Sequence, residues 1–62
     1  MEINIYSLIP YSYEGTFSLE EVIGEHESLH HGAIINIKNQ EYLILTLAIR
    51  KDGTIVLECS KS

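Results

Sequence analysis

Three histidines, His26, His30 and His31, fall within one six-residue stretch, and imidazole is the commonest transition-metal ligand. On a helix His26 and His30 would stand at i and i+4, about 40° apart, close enough to hold a metal between them. Glu27 or Cys59 would be the further ligands. No third ligand has a diagnostic spacing, because the chain has neither Cys-x-x-Cys nor His-Glu-x-x-His. The expectation is therefore no metal and no cofactor. His26 would pack at the edge of the core, and His30 and His31 would meet the last carbonyls of a helix and offset its dipole. A small metal-responsive protein built on His26 and His30 is the alternative.

Cys59 is the only cysteine, so no disulfide forms within one chain. Its place in an alternating apolar run predicts a buried, inert thiol. A lone thiol fits a reducing compartment, which places the protein in a cytoplasm. Ser7, Ser12, Ser18, Ser28, Ser60 and Ser62 sit in no nucleophile elbow, and there is no Gly-rich phosphate loop. A non-enzymatic protein is expected.

The carboxylates are the other chemical resource. The chain has 62 residues, four Lys+Arg and nine Asp+Glu, a net charge of −5. A phosphate-gripping nucleic-acid binder needs the opposite balance. Residues 1–31 hold six Glu and no Lys or Arg, while residues 32–62 are net +1. Glu20 and Glu21 suit a helix start, whereas Glu25 and Glu27 approach its negative end. Glu21 and Glu25 also repel at i, i+4, by a few tenths of a kcal/mol. A helix kept this acidic suits a partner with a basic surface. Glu20, Glu21, Glu25 and Glu27, with the Tyr11/Tyr13 loop, are the expected partner-binding residues, since Tyr is enriched at interfaces. The competing reading is a solvated face that keeps a small protein soluble.

These side chains need a scaffold. Residues 2–9 alternate, with Ile3, Ile5 and Ile9 in phase, and read as a strand ended by Pro10. Residues 10–16 read as a loop. Ser18 and Glu21 form a capping box, with Phe17 and Val22 as a hydrophobic staple, opening a helix over 19–27 that frays toward 31. Gly24 weakens it from within, and Gly32 is its expected terminator. Residues 33–38, 42–50 and 54–59 read as a meander of three strands. A three-residue loop, Lys51-Asp52-Gly53, sets residue 49 opposite 55 and 47 opposite 57.

The predicted fold is α+β, a single domain over 1–62. It is an antiparallel four-stranded sheet in β-α-β-β-β order with one short helix packed on it. The chain has ten Ile, seven Leu and two Val, and such β-branched composition favours sheet. A domain of this length buries only about 60% of its unfolded surface, and a core below 70–80 residues rarely supplies more than ~3–5 kcal/mol. The odd meander positions make one apolar face, yet Ile34, Tyr42, Ile44, Ala48 and Val56, joined by Tyr6 and Leu8, are apolar on the other. One helix cannot cover both faces. Either the sheet curls toward a small barrel, or a second copy covers Tyr6, Ile34, Tyr42, Ile44, Ala48 and Val56, or the residues are ordinary surface apolars. A homodimer is the preferred form.

No segment approaches 18 consecutive apolar residues, so no membrane span is expected, and Glu2 without a basic start argues against a secretory leader. Together these features suit a small acidic, homodimeric inhibitor or adaptor that occupies a larger partner, the physical type of viral anti-host or anti-defence proteins acting in the host cytoplasm. A structural or assembly subunit would use the same apolar face.

Overall fold

The computed structural model describes residues 1–61. Strand β1 is Glu2–Ser7, β2 Ser12–Ser18, helix α1 Leu19–Ile23, β3 Ile34–Ile37, β4 Gln40–Ile49 and β5 Ile55–Lys61. The five strands form one sheet in the order β2-β1-β5-β4-β3. The expected four-stranded antiparallel β-α-β-β-β sheet is thus corrected in two respects. Residues read as a loop form most of β2, and β1 pairs with β5 in parallel, Ile3 beside Ile55 and Ile5 beside Leu57.

The missed strand has a physical explanation. Ile5 pairs with Gly15 and Tyr6 with Tyr13, so Glu14 is an extra residue that breaks the period of two. Gly15 looks like a turn signal, but it stays within the strand at φ +140, and a Cβ there would come within 2.9 Å of the Phe17 ring's Cζ. The β-forming residues Tyr13, Thr16 and Phe17 outweigh it.

The sheet curls into a half-barrel around a core of Ile3, Ile5, Ile35, Ile44, Leu57 and Cys59, each at most 1% exposed. Across its concave side the Tyr42 hydroxyl of β4 donates to Glu14 of β2 at 3.3 Å. The Lys38 ammonium, in the β3–β4 turn, sits 5.6 Å from the Phe17 ring centre. Helix α1 spans the two sheet edges, touching β1, β2 and β3, and inserts Val22 into the core.

The capping box forms as read. Ser18 Oγ accepts the Glu21 N–H at 3.2 Å, and the Glu21 carboxylate accepts the Ser18 N–H at 3.3 Å. The helix is shorter than expected: Gly24 turns to φ +54 and ends it, so 24–27 are not helical. Ser18→Ala should lower unfolding free energy by about 1 kcal/mol. Urea titration checks this, and an unchanged midpoint would mean that the cap contributes nothing.

The β4–β5 hairpin has the expected register, Ile49 opposite Ile55 and Leu47 opposite Leu57. Arg50 N–H donates to the Thr54 carbonyl at 2.8 Å, Gly53 N–H to the Arg50 carbonyl at 3.0 Å, and Gly53 takes φ +90. Farther along, Ile44 pairs with Cys59 and Thr46 with Glu58, leaving Leu45 as a second bulge. That bulge shifts the phase of β4: Tyr42 and Ile44 face the core, and beyond the bulge Leu47 does.

Candidate binding surfaces

Two clusters emerge from this scaffold, one at the mouth of the half-barrel and one on its convex face. At the mouth, the β2 bulge aims Glu14 inward. The Ser7 hydroxyl donates to its Oε2 at 2.7 Å, and Lys61 Nζ and the Tyr42 hydroxyl donate to its Oε1 at 3.2 and 3.3 Å. One residue from each of β1, β4 and β5 therefore converges on a single carboxylate of β2. The Ser7 hydrogen bond first, then Lys61, hold the Glu14 carboxyl below its ordinary pKa. Burial, then the Glu14 charge, push the Tyr42 phenol up. A cavity of about 370 Å³ opens beside the cluster, lined by Leu8, Ile9, Pro10 and Leu45 and by Ser7, Ser12 and Ser60.

On the convex face, cross-strand pairing sets Tyr13, Tyr6, Glu58 and Thr46 in one row and Thr16, Asn4, Val56 and Ala48 in the next. The Tyr11 ring stacks on Tyr6, centroids 5.3 Å apart and planes at 24°. Tyr13, paired with Tyr6 from the adjacent strand β2, leans on the same ring, also at 5.3 Å, with planes at 52°. The Tyr13 hydroxyl is hydrogen-bonded to Thr16, which donates in turn to Asn4. Tyr11 and Tyr13 are nonetheless 63% and 55% exposed. Beside them a groove of about 240 Å³ is floored by Val56 and Ala48 and flanked by Arg50 and Glu58. Among the described residues the one ion pair is Lys61–Glu14, so Arg50 and Glu58 are not joined to each other.

No family model, curated protein or solved structure matches this chain. What it can do is therefore read from these surfaces alone.

The structure distributes the sequence-derived site residues unevenly. Glu20, Glu21, Glu25 and Glu27 are all exposed. They follow the far end of β2 from Tyr13, roughly 20 Å along the strand, and α1, which carries Glu20 and Glu21, packs on the concave side. Tyr11 and Tyr13 lie on the convex side, so the glutamates and tyrosines do not form one surface. Of the residues expected at a dimer interface, Tyr6, Ala48 and Val56 share the convex face. Ile34 is exposed beside Leu43 on the far strand pair. Tyr42 and Ile44 lie in the core instead, because the Leu45 bulge reverses the phase on which the expectation rested.

The histidine pair is not brought together on a helix, since α1 stops before His26. His26 Nε2–H donates to the Ile34 carbonyl at 2.7 Å, and His30 Nδ1–H to the His31 carbonyl at 2.9 Å. Among the described residues no three His, Cys, Asp or Glu side chains gather as a metal site. Cys59 is buried in the core. The sequence reading missed the Glu14 hub, which sat inside the assumed loop. Its available signal was the β-forming trio Tyr13, Thr16 and Phe17 on either side of Gly15.

Proposed function

We propose that this chain is a small non-enzymatic binding domain, an inhibitor or adaptor that docks on a larger protein through its convex tyrosine face. One observation carries the reading: three tyrosines are massed on a five-stranded sheet, two of them more than half exposed. Tyrosine offers a large amphipathic contact area with few rotatable bonds, so its burial by a partner is favourable and its ordering is inexpensive. Ring stacking and the Tyr13–Thr16–Asn4 hydrogen bonds hold two of the rings in place before a partner arrives, which lowers the entropic penalty of docking. The acidic end around α1 would steer a basic-surfaced partner toward the domain rather than supply the contact itself. Tyr6, Ala48 and Val56 belong to the same face, so a second copy of this chain is the competing occupant.

Affinity capture with the tagged chain, quantified by mass spectrometry and accompanied by light scattering, tests this. Tyr11→Ala/Tyr13→Ala should weaken retention of the bound protein about tenfold or more, as interface aromatics do. Glu20→Lys/Glu25→Lys/Glu27→Lys should slow association, most of all at low salt, and leave the complex formed where salt screens the charges. If the tyrosine variant retains the same partner undiminished, the convex face is not the docking surface. If the retained protein is this chain alone and the variant is monomeric, the face is a homodimer interface.

A further inference from the structure

The mouth cavity is independent of the convex face and has the makings of a small-ligand site. Its volume, about 370 Å³, falls within the roughly 300–1,000 Å³ typical of ligand pockets. Both irregularities of the sheet deliver residues to it: the β2 bulge supplies Glu14 and the β4 bulge supplies Leu45. Bulges re-aim side chains where regular pairing would point them elsewhere. Ile9, on the rim, holds φ +58 while 97% exposed, a left-handed conformation unfavourable for a β-branched residue.

The chemistry of the cavity is amphipathic. Its polar end is the Glu14 carboxylate, braced from beneath by the buried Ser7 hydroxyl. Its walls include the aliphatic side chains of Leu8 and Leu45. A carboxylate accepts hydrogen bonds and donates none, so the group that suits this end is a cationic donor. The cationic donor present is the ammonium of Lys61, whose side chain is 47% exposed against 14% for Glu14. An ion pair with one partner this accessible contributes about 0–1 kcal/mol, so Lys61 can leave at little cost. An incoming ammonium would then inherit its place on Glu14 Oε1 and lay its alkyl chain along Leu8 and Leu45.

We propose that the mouth cavity binds a primary alkylammonium group, as a free amine or as a partner's lysine side chain, and that Lys61 is its internal stand-in. The net charge of −5 favours approach of such cations.

Backbone amide NMR of the full chain, titrated with n-butylammonium chloride and separately with Nα-acetyl-lysinamide, tests this. Saturable shifts are expected at Ser7, Glu14, Leu45 and Ser60 with both amines. Neutral n-butanol and tetramethylammonium, which has no N–H donor, should give none. K61Q should bind n-butylammonium about fivefold tighter, because the competing pair is gone, and E14Q should lose binding. Should E14Q fail to fold, the K61Q comparison still decides. Tighter binding of n-butylammonium indicates a free amine as the natural ligand, and tighter binding of the lysine compound indicates a partner's side chain. Shifts that do not saturate, that tetramethylammonium reproduces, that centre on Glu20–Glu27, or that K61Q leaves no tighter would overturn the proposal.

Discussion

Leu57→Ala should leave much of the chain unfolded at 25 °C. Leu57 is fully buried in β5, the central strand, with Ile5 on one side and Leu47 on the other. Truncating a buried leucine costs about 2.7–5 kcal/mol through lost transfer energy and the cavity left behind. A core of this size rarely supplies more than ~3–5 kcal/mol in total. The two quantities are equal within their spread, so a single methyl-bearing branch decides whether the domain folds. Far-UV circular dichroism and NMR dispersion should show the loss. Leu43→Ala on the convex side, where the side chain is already 36% exposed, should cost less than about 1 kcal/mol. A Leu57→Ala protein that unfolds cooperatively within 1 kcal/mol of the parent would show that the core is not the main source of stability.

Alkali should unfold the protein earlier than its composition suggests, and Cys59 is the reason. Burial pushes the Cys59 thiol from its ordinary 9.0 up to about 11. The neutral thiol is the form the fold favours, and in the unfolded chain the group ionises near its ordinary value. Its contribution is therefore fully present below pH 9 and is lost as pH rises through the folded value. At 1.36 kcal/mol per unit, that loss amounts to about 2–3 kcal/mol, a large part of the total. Tyr42, whose phenol is also pushed up by burial, acts with the same sign at higher pH. Urea midpoints measured from pH 8 to 11 should fall steeply above pH 9, and Cys59→Ala should remove most of that slope between pH 9 and 10. An equal slope in the variant would assign alkaline unfolding to other groups.

What could be read from the residues depended on whether their signal was local. The Ser18/Glu21 capping box involves neighbours three apart, and the Lys51-Asp52-Gly53 loop closes on itself, so both were legible. The Glu14 and Leu45 bulges were not. Each is defined only by a partner strand, and each reverses the inside–outside phase of everything beyond it. Reading β4 without its bulge turned Tyr42 and Ile44, both core residues, into surface. The parallel β1–β5 pairing was hidden for the same reason, since no short-range pattern says which distant strands meet. The tyrosines stood out by residue type alone, but their separation from the acidic segment depends on the curl of the sheet and on which of its faces α1 covers.

The parallel pairing has a further consequence for how the chain acquires its shape during synthesis. Ile3 must find Ile55, fifty-two positions later, and β5 is the only strand that joins the β1–β2 ribbon to the β3–β4 ribbon. A nascent polypeptide emerging from the ribosome can form each ribbon early, but neither acquires its neighbour until β5 clears the exit tunnel. Until then the apolar sides of both ribbons remain uncovered, a window in which chaperones or proteases can engage them. Folding of this domain is thus deferred until β5 is available and then proceeds by long-range closure, the slow topological class.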